Sequence, residues 1–384
     1  MSTLIDKTSA ARPSGEAPEG SGRRGPLVIL RGTGRYRGIV AVCLVLAAGF
    51  VAWGGTLQPF EQGQLTRAAI FAIAILGLNF TTGYVGLLSV GHSAFLGLGA
   101  YTTGVLVVSY NQTALSTIPV AMAICFVLGL LVGIPALRIR GLYLAIVTLA
   151  LGVAFPEIVA RLGDLTGGAE GLTIRRTLLR PPEWSGFTLG EKDQWLYWLT
   201  IVCLVLAFVV LRNVITGRYG MAMNAVRQNE IAAAASGVNI ATVKIFSFAV
   251  SGAITGLAGS LFAMYIGSLF AEGSFTVLAG ITLLIGLVVG GERTMLGPIL
   301  GGLIVVFLPY YTSDLGGGQF SAVLFAIVLI AVVFVAPDGI AGGLGRVIAK
   351  FVRIEARRPE GRDGGLLGTR ASDPEPAADP GAGR

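Results

Sequence analysis

Few residues in this chain are equipped for bond-making chemistry. It holds one histidine, His92, in the run Leu88-Ser89-Val90-Gly91-His92-Ser93. There is no HExxH, no GxSxG and no pair of carboxylates inside an apolar block. Metal-assisted and nucleophilic reactions need such clusters, because ligands or nucleophile and base must converge on one reacting atom. The four lysines stand at 7, 192, 244 and 350, and none follows a glycine. A phosphate-cradling loop needs Gly-Lys-Ser/Thr, so any ATP that drives this protein is hydrolysed by another subunit. The expectation is a protein that is not an enzyme and carries neither cofactor nor metal. Cys43, Cys125 and Cys203 lie in separate apolar blocks without a CxxC, which suits small buried hydrophobes.

Two polar stretches stand out instead. In the first, Asn79, Thr81, Thr82, Gly83, Gly86, Ser89, Gly91, His92 and Ser93 interrupt an apolar region. Unwound backbone at membrane depth survives where protein buries it or where it lines a wet cavity. The stretch is therefore either a wall of a solute path or a site of glycine-mediated helix packing. Gly129-xxx-Gly133, Gly252-xxx-Gly256 and Gly297-xxx-Gly301 suggest the same packing elsewhere. His92 is the one ionisable group placed deep, as packing residue or relay. Glu157, Lys244 and Glu272 fall near span ends, and this scarcity of internal charge argues against ion-coupled transport.

The second stretch, residues 218–239, is rich in helix formers and contains Arg227, Glu230, Ala232, Ala233 and Gly237. It reads as a short helix, too polar at its start to span, with glycine at its end. Such a segment is a solvated connector or a knob that docks into a partner's groove.

The elements that must position these stretches follow from composition. Apolar residues make up 54% of the 384 and charged residues 13%, with a mean hydropathy of +0.77. Ala68 to Leu137 contains no charge at all. A soluble surface needs more charge than this, and the apolar blocks approach the twenty residues that span a bilayer as helix. The fold class is therefore all-α: a polytopic transmembrane helical bundle of about ten spans. They are expected near 39–57, 67–88, 91–110, 117–137, 141–160, 195–211, 245–267, 274–290, 295–311 and 320–337. Eight spans with one block re-entrant is the alternative. Residues 1–38 and 346–384, rich in Gly, Pro and Arg, read as disordered tails flanking a transmembrane domain over 39–345.

The net charge of +7 sits in tails and short loops rather than in a nucleic-acid patch. With ten spans, Arg23 to Arg37, Arg138 and Arg140, the 212–244 segment and Arg346 to Arg358 all fall on one side. The positive-inside rule makes that side the cytoplasm, with both termini, and puts loop 161–194 outside. Five spans on either side of that loop would insert with opposite topology, a common transporter plan.

Four stretches carry a resemblance: Gly83 to Tyr101, Leu165 to Leu172, Ala225 to Ala233 and Leu284 to Pro298, with the ending Pro337-Asp-Gly-Ile340. The chain resembles the inner-membrane permeases of branched-chain amino-acid ABC transporters, specifically the M-type subunit. The resemblance implies a multi-pass protein of the bacterial inner membrane, importing branched-chain amino acids or a related solute such as urea or short amides. It implies as partners an H-type permease subunit, two ATP-binding subunits and an extracytoplasmic substrate-binding protein, with no nucleic acid. Segment 218–239 would then be the loop that transmits nucleotide-driven motion, through Arg227, Glu230, Ala232, Ala233 and Gly237. Its Glu-to-Gly spacing is one residue longer than in the common importer loop. The runner-up is a self-sufficient secondary transporter with five-plus-five inverted repeats.

Overall fold

A computed structural model describes residues 51–313 apart from Arg140, residues 338–355, and scattered positions within 27–50 and 323–334. Nearly half of the first expected span, most of the tenth, and most of both tails lie outside the described residues.

Within them the chain is a helical membrane bundle. Helix α1 (Pro59–Leu78) starts with proline in its first turn, where the missing N–H costs nothing. A π-helical stretch, Asn79–Val85, continues it. Then follow α2 (His92–Val108), α3 (Ala114–Gly133), α4 (Leu142–Arg161) and α5 (Lys192–Thr216). Two short helices come next, α6 (Arg218–Gln228) and α7 (Glu230–Ala235). The long α8 (Ile240–Ile266) precedes α9 (Val277–Gly290), α10 (Gly297–Ser313) and α11 (Gly339–Phe351). Among the described residues six helical segments are long and apolar enough to cross a membrane, and α2 and α10 are shorter apolar helices. These eight coincide with eight of the ten expected spans.

Burial sorts the helices into layers. α1 is buried on every side from Ala68 to Leu78, and α8 is nearly as enclosed. Helices apolar all round belong in a centre. α3 and α5 instead expose stripes of large apolar side chains, such as Val120, Ile124, Val127 and Leu131 on α3. That spacing marks one helix face, and an outward apolar face suits lipid rather than water.

Small residues set the closeness of the packing. Gly129 on α3 lies against Ala249 of α8, and Gly252 and Gly256 on α8 lie against Cys125 of α3. Where lipid is as apolar as the side chains, close backbone approach drives helix association.

The bundle has two polar ends. At one, Lys244 near the start of α8 faces Ala136, and Arg227 meets Glu292. At the other, β2 (Leu172–Thr173) pairs antiparallel with β3 (Ser268–Leu269) beside the start of α5. Separately, β1 (Leu27–Leu30) and β4 (Val352–Glu355) form a two-stranded parallel sheet belonging to a second compact unit. The sequence reading does not anticipate it.

Candidate functional site

The 79–93 stretch is a real break in the helical ladder. The π-helical turn ends at Gly86, whose φ of 83° lies in the left-handed region that favours glycine. Gly86 N donates to Thr82 O at 3.1 Å and Leu87 N to Thr81 O at 3.2 Å, so the freed carbonyls are satisfied. Residues up to Gly91 then run without helix before α2 begins at His92.

Each expected path residue is buried in this chain. Asn79, Thr81, Ser89, His92 and Ser93 are at most 1% exposed, and Thr82 is 6% exposed. Asn79 reaches the turn between α9 and α10: its Nδ2 donates to Thr294 O at 3.0 Å, and its Oδ1 accepts from Arg293 N at 3.2 Å. A side chain on Gly83 would collide with Asn79 itself, and one on Gly91 with the Thr148 carbonyl of α4. Thr81 donates to Ser247 O, and Thr82 to Leu87 O.

His92 sits in a closed chain of hydroxyls. Ser251 Oγ donates to Gly77 O at 2.6 Å, so its oxygen accepts from His92 Nε2 at 2.7 Å. Nδ1 then accepts from Ser89 Oγ at 2.8 Å. A neutral imidazole in this network has both ring nitrogens satisfied. Ser93 differs. Its hydroxyl is buried with no hydrogen-bond partner, wedged where Gly152 of α4 and Gly280 of α9 approach α2.

The second predicted stretch is two helices rather than one. Asn229 adopts extended backbone, and its Oδ1 accepts from Ile231 N and Ala232 N, capping α7 and ending α6. The break has a physical cause in that cap, which the helix-former count overlooks.

The cap turns two charges inward. Arg227, at the end of α6, donates from Nη1 to Thr82 O and from Nη2 to Glu292, each at 3.4 Å. Glu230, at the start of α7, meets Lys244 Nζ at 2.8 Å, and the Lys244 side chain is only 1% exposed. Tyr219 adds a third tie, donating to Val243 O at 2.8 Å. Burial pushes its hydroxyl up to about 12, so it remains a donor at any pH used for transport.

Ala233 is buried under α7, whereas Ala232 and Gly237 are exposed, Gly237 with a φ of 83°. Met221 on α6 and Ile231 on α7 are 67% and 75% exposed. Sequence reasoning missed both, along with Glu292 as Arg227's partner and Lys244 as Glu230's. An isoleucine among polar and alanine positions was the available signal for Ile231. No local signal marks the two partners.

A helical bundle of long apolar helices buried around two central ones is that of a multi-pass membrane protein. The family described as branched-chain amino acid transport system / permease component matches residues 62–333, and the chain belongs to that family. It is 30% identical over 315 residues to the high-affinity branched-chain amino acid transport system permease protein LivM of Escherichia coli strain K12. That match covers 77% of this chain and 73% of the relative. It is 24% identical to the probable LivH permease of Methanocaldococcus jannaschii, over 73% of this chain and 91% of the other. The ribose import permease RbsC of Haemophilus influenzae is 27% identical over 64% of this chain and 74% of its own length. No solved structure matches.

Proposed function

We propose that this chain is the M-type permease subunit of an ATP-driven importer in a bacterial inner membrane. It carries branched-chain amino acids, or a related small solute such as urea or a short amide, delivered by an extracytoplasmic binding protein. It pairs with an H-type permease and two ATP-binding subunits. It crosses the membrane about ten times with both termini cytoplasmic, and the 79–93 break borders the solute path. α6 and α7 dock on an ATP-binding subunit.

One observation supports this reading above the others: Arg227 joins α6 to both the break, at Thr82, and the α9–α10 turn, at Glu292. A connector without mechanical duty has no need of such ties. The exposed Met221 and Ile231 of the two short helices offer apolar contacts of the kind docking uses. The relatives' printed functions supply the solute class and the importer setting.

The test is reconstitution in liposomes with the H-type subunit, both ATP-binding subunits and leucine-loaded binding protein. Leucine accumulation should require ATP. Uptake driven by an ion gradient in liposomes holding this chain alone would replace this reading with the secondary-transporter one.

A further inference from the structure

The start of α11 is fixed to the bundle backbone against backbone, at the end that carries Arg227 and Glu292. Gly339, with a φ of 74°, lies so close to Gly291 that a side chain on it would collide with the Gly291 backbone. Gly291, with a φ of 114°, in turn faces the Asp338 carbonyl and Ala341. Glycine permits both the conformation and the approach. Gly291 directly precedes Glu292, the partner of Arg227, so α11 is anchored one residue from that node.

Beyond the anchor the sequence of α11 is amphipathic. Ile340, Leu344, Val347 and Phe351 recur at intervals of four, three and four, the spacing of one helix face. Arg346 and Lys350, four apart, fall on another. Leu344 is 50% exposed, so the bundle leaves it largely uncovered. Arg346 meets Asp338 at 3.1 Å, but the two side chains are 59% and 69% exposed. Such a pair is weak and can exchange its carboxylate for another anion. Between Arg346 and Arg358 the chain gathers five cations, with Lys350, Arg353 and Arg357, against one carboxylate, Glu355.

We propose that α11 is an interfacial strap that binds anionic phospholipids, its apolar face at the acyl boundary and its cations on the lipid phosphates. Clusters of about four to eight Lys and Arg beside a span are what an anionic leaflet attracts, and an amphipathic basic helix seats in that layer. An acidic protein groove offers the same charge, but the bilayer already meets the outward faces of α3 and α5 and is the occupant in reach. Because the anchor adjoins Glu292, lipid charge then bears on how the α9–α10 turn is held. The lipid contact stands apart from the importer reading; its effect on uptake rests on that reading.

The assembled complex, carrying Leu344→Cys as its one reactive thiol, is labelled with an environment-sensitive fluorophore and placed in phosphatidylcholine nanodiscs with rising phosphatidylglycerol. Emission should shift to the blue with phosphatidylglycerol and be quenched by phosphatidylglycerol spin-labelled near its headgroup. Arg346→Gln with Lys350→Gln should weaken the apparent affinity for phosphatidylglycerol about thirtyfold, and Arg346→Lys with Lys350→Arg should retain it. In liposomes, leucine uptake should rise with phosphatidylglycerol in the wild type and lose that dependence in the neutral variant. Three results would overturn the site: no response to phosphatidylglycerol, an unchanged response in the neutral variant, or a blue shift without quenching, which would seat α11 on a protein. Uptake indifferent to phosphatidylglycerol while quenching persists would remove the regulatory part. A complex that responds to lipid as described but imports nothing with ATP would sink the importer reading alone.

Discussion

Arg227 Nη2 lies 3.4 Å from Glu292 Oε2, although 65 residues separate them, and the same guanidinium donates to the Thr82 carbonyl 145 residues away. One side chain thus joins the polar connector, the turn after α9 and the break after α1. Asn79 closes the triangle by holding both faces of that turn. Motion imposed on α6 would reach two membrane helices through two charge-assisted bonds.

Neutralising this node should uncouple rather than unfold. Both side chains are partly exposed, 26% and 39%, so the pair adds only about 0–1 kcal/mol to stability. Glu292→Gln should leave the complex intact, preserve ATP hydrolysis and lower leucine uptake per ATP. The reversed pair Arg227→Glu with Glu292→Arg should recover part of that ratio. A coupling ratio unchanged in Glu292→Gln would remove the node from the mechanism.

The Lys244–Glu230 pair should behave oppositely. Its lysine is enclosed, so Lys244→Met strands Glu230 and Glu230→Leu strands Lys244; loss of one partner of a buried pair is worth about 3–5 kcal/mol. Each single variant should lower the complex's thermal midpoint, and the double variant should restore most of it. Additive losses in the double variant would show that the two residues act separately. Glu230 as a contact for a partner protein stays a proposal beside this inward pairing.

Ile231 is the better handle. Ile231→Glu places a charge on an exposed apolar face, so it should abolish co-purification of the ATP-binding subunits while the membrane half remains folded. Retained co-purification and substrate-stimulated hydrolysis would make α6 and α7 a simple connector.

Ser93 tests whether the break borders the path. A buried hydroxyl without a partner is destabilising by about 1–3 kcal/mol, so Ser93→Ala should raise thermal stability by about 1 kcal/mol. It should also raise the leucine concentration for half-maximal uptake if that hydroxyl meets the solute. Stability gained with uptake unaltered would assign the stretch to packing. Gly91→Leu is a poorer probe, because even a Cβ there meets the Thr148 carbonyl and assembly itself should suffer.

Orientation is open to labelling in intact cells after replacement of the native cysteines. A cysteine at the exposed position 183 should react with an impermeant maleimide, and one at 231 only in inverted vesicles. The reverse pattern would invert the topology.

The sequence by itself determined the membrane class, because long charge-free runs leave a helix no other comfortable solvent. It also located eight helices, the start of α1 eight residues late at 67, and the interruption after Leu78, because glycine and hydroxyl residues cluster there. The family stretches were legible for the same local reason: each is a contiguous run. Only the tertiary structure decided which charges pair. Arg227 with Glu292 and Glu230 with Lys244 depend on where α9 ends and α8 begins beside α6 and α7, and no local pattern encodes that meeting. In the sequence Lys192 stands only as one charge of the loop 161–194. Only the tertiary structure brings Arg176 and Tyr265, far apart in the chain, to line one cavity with it.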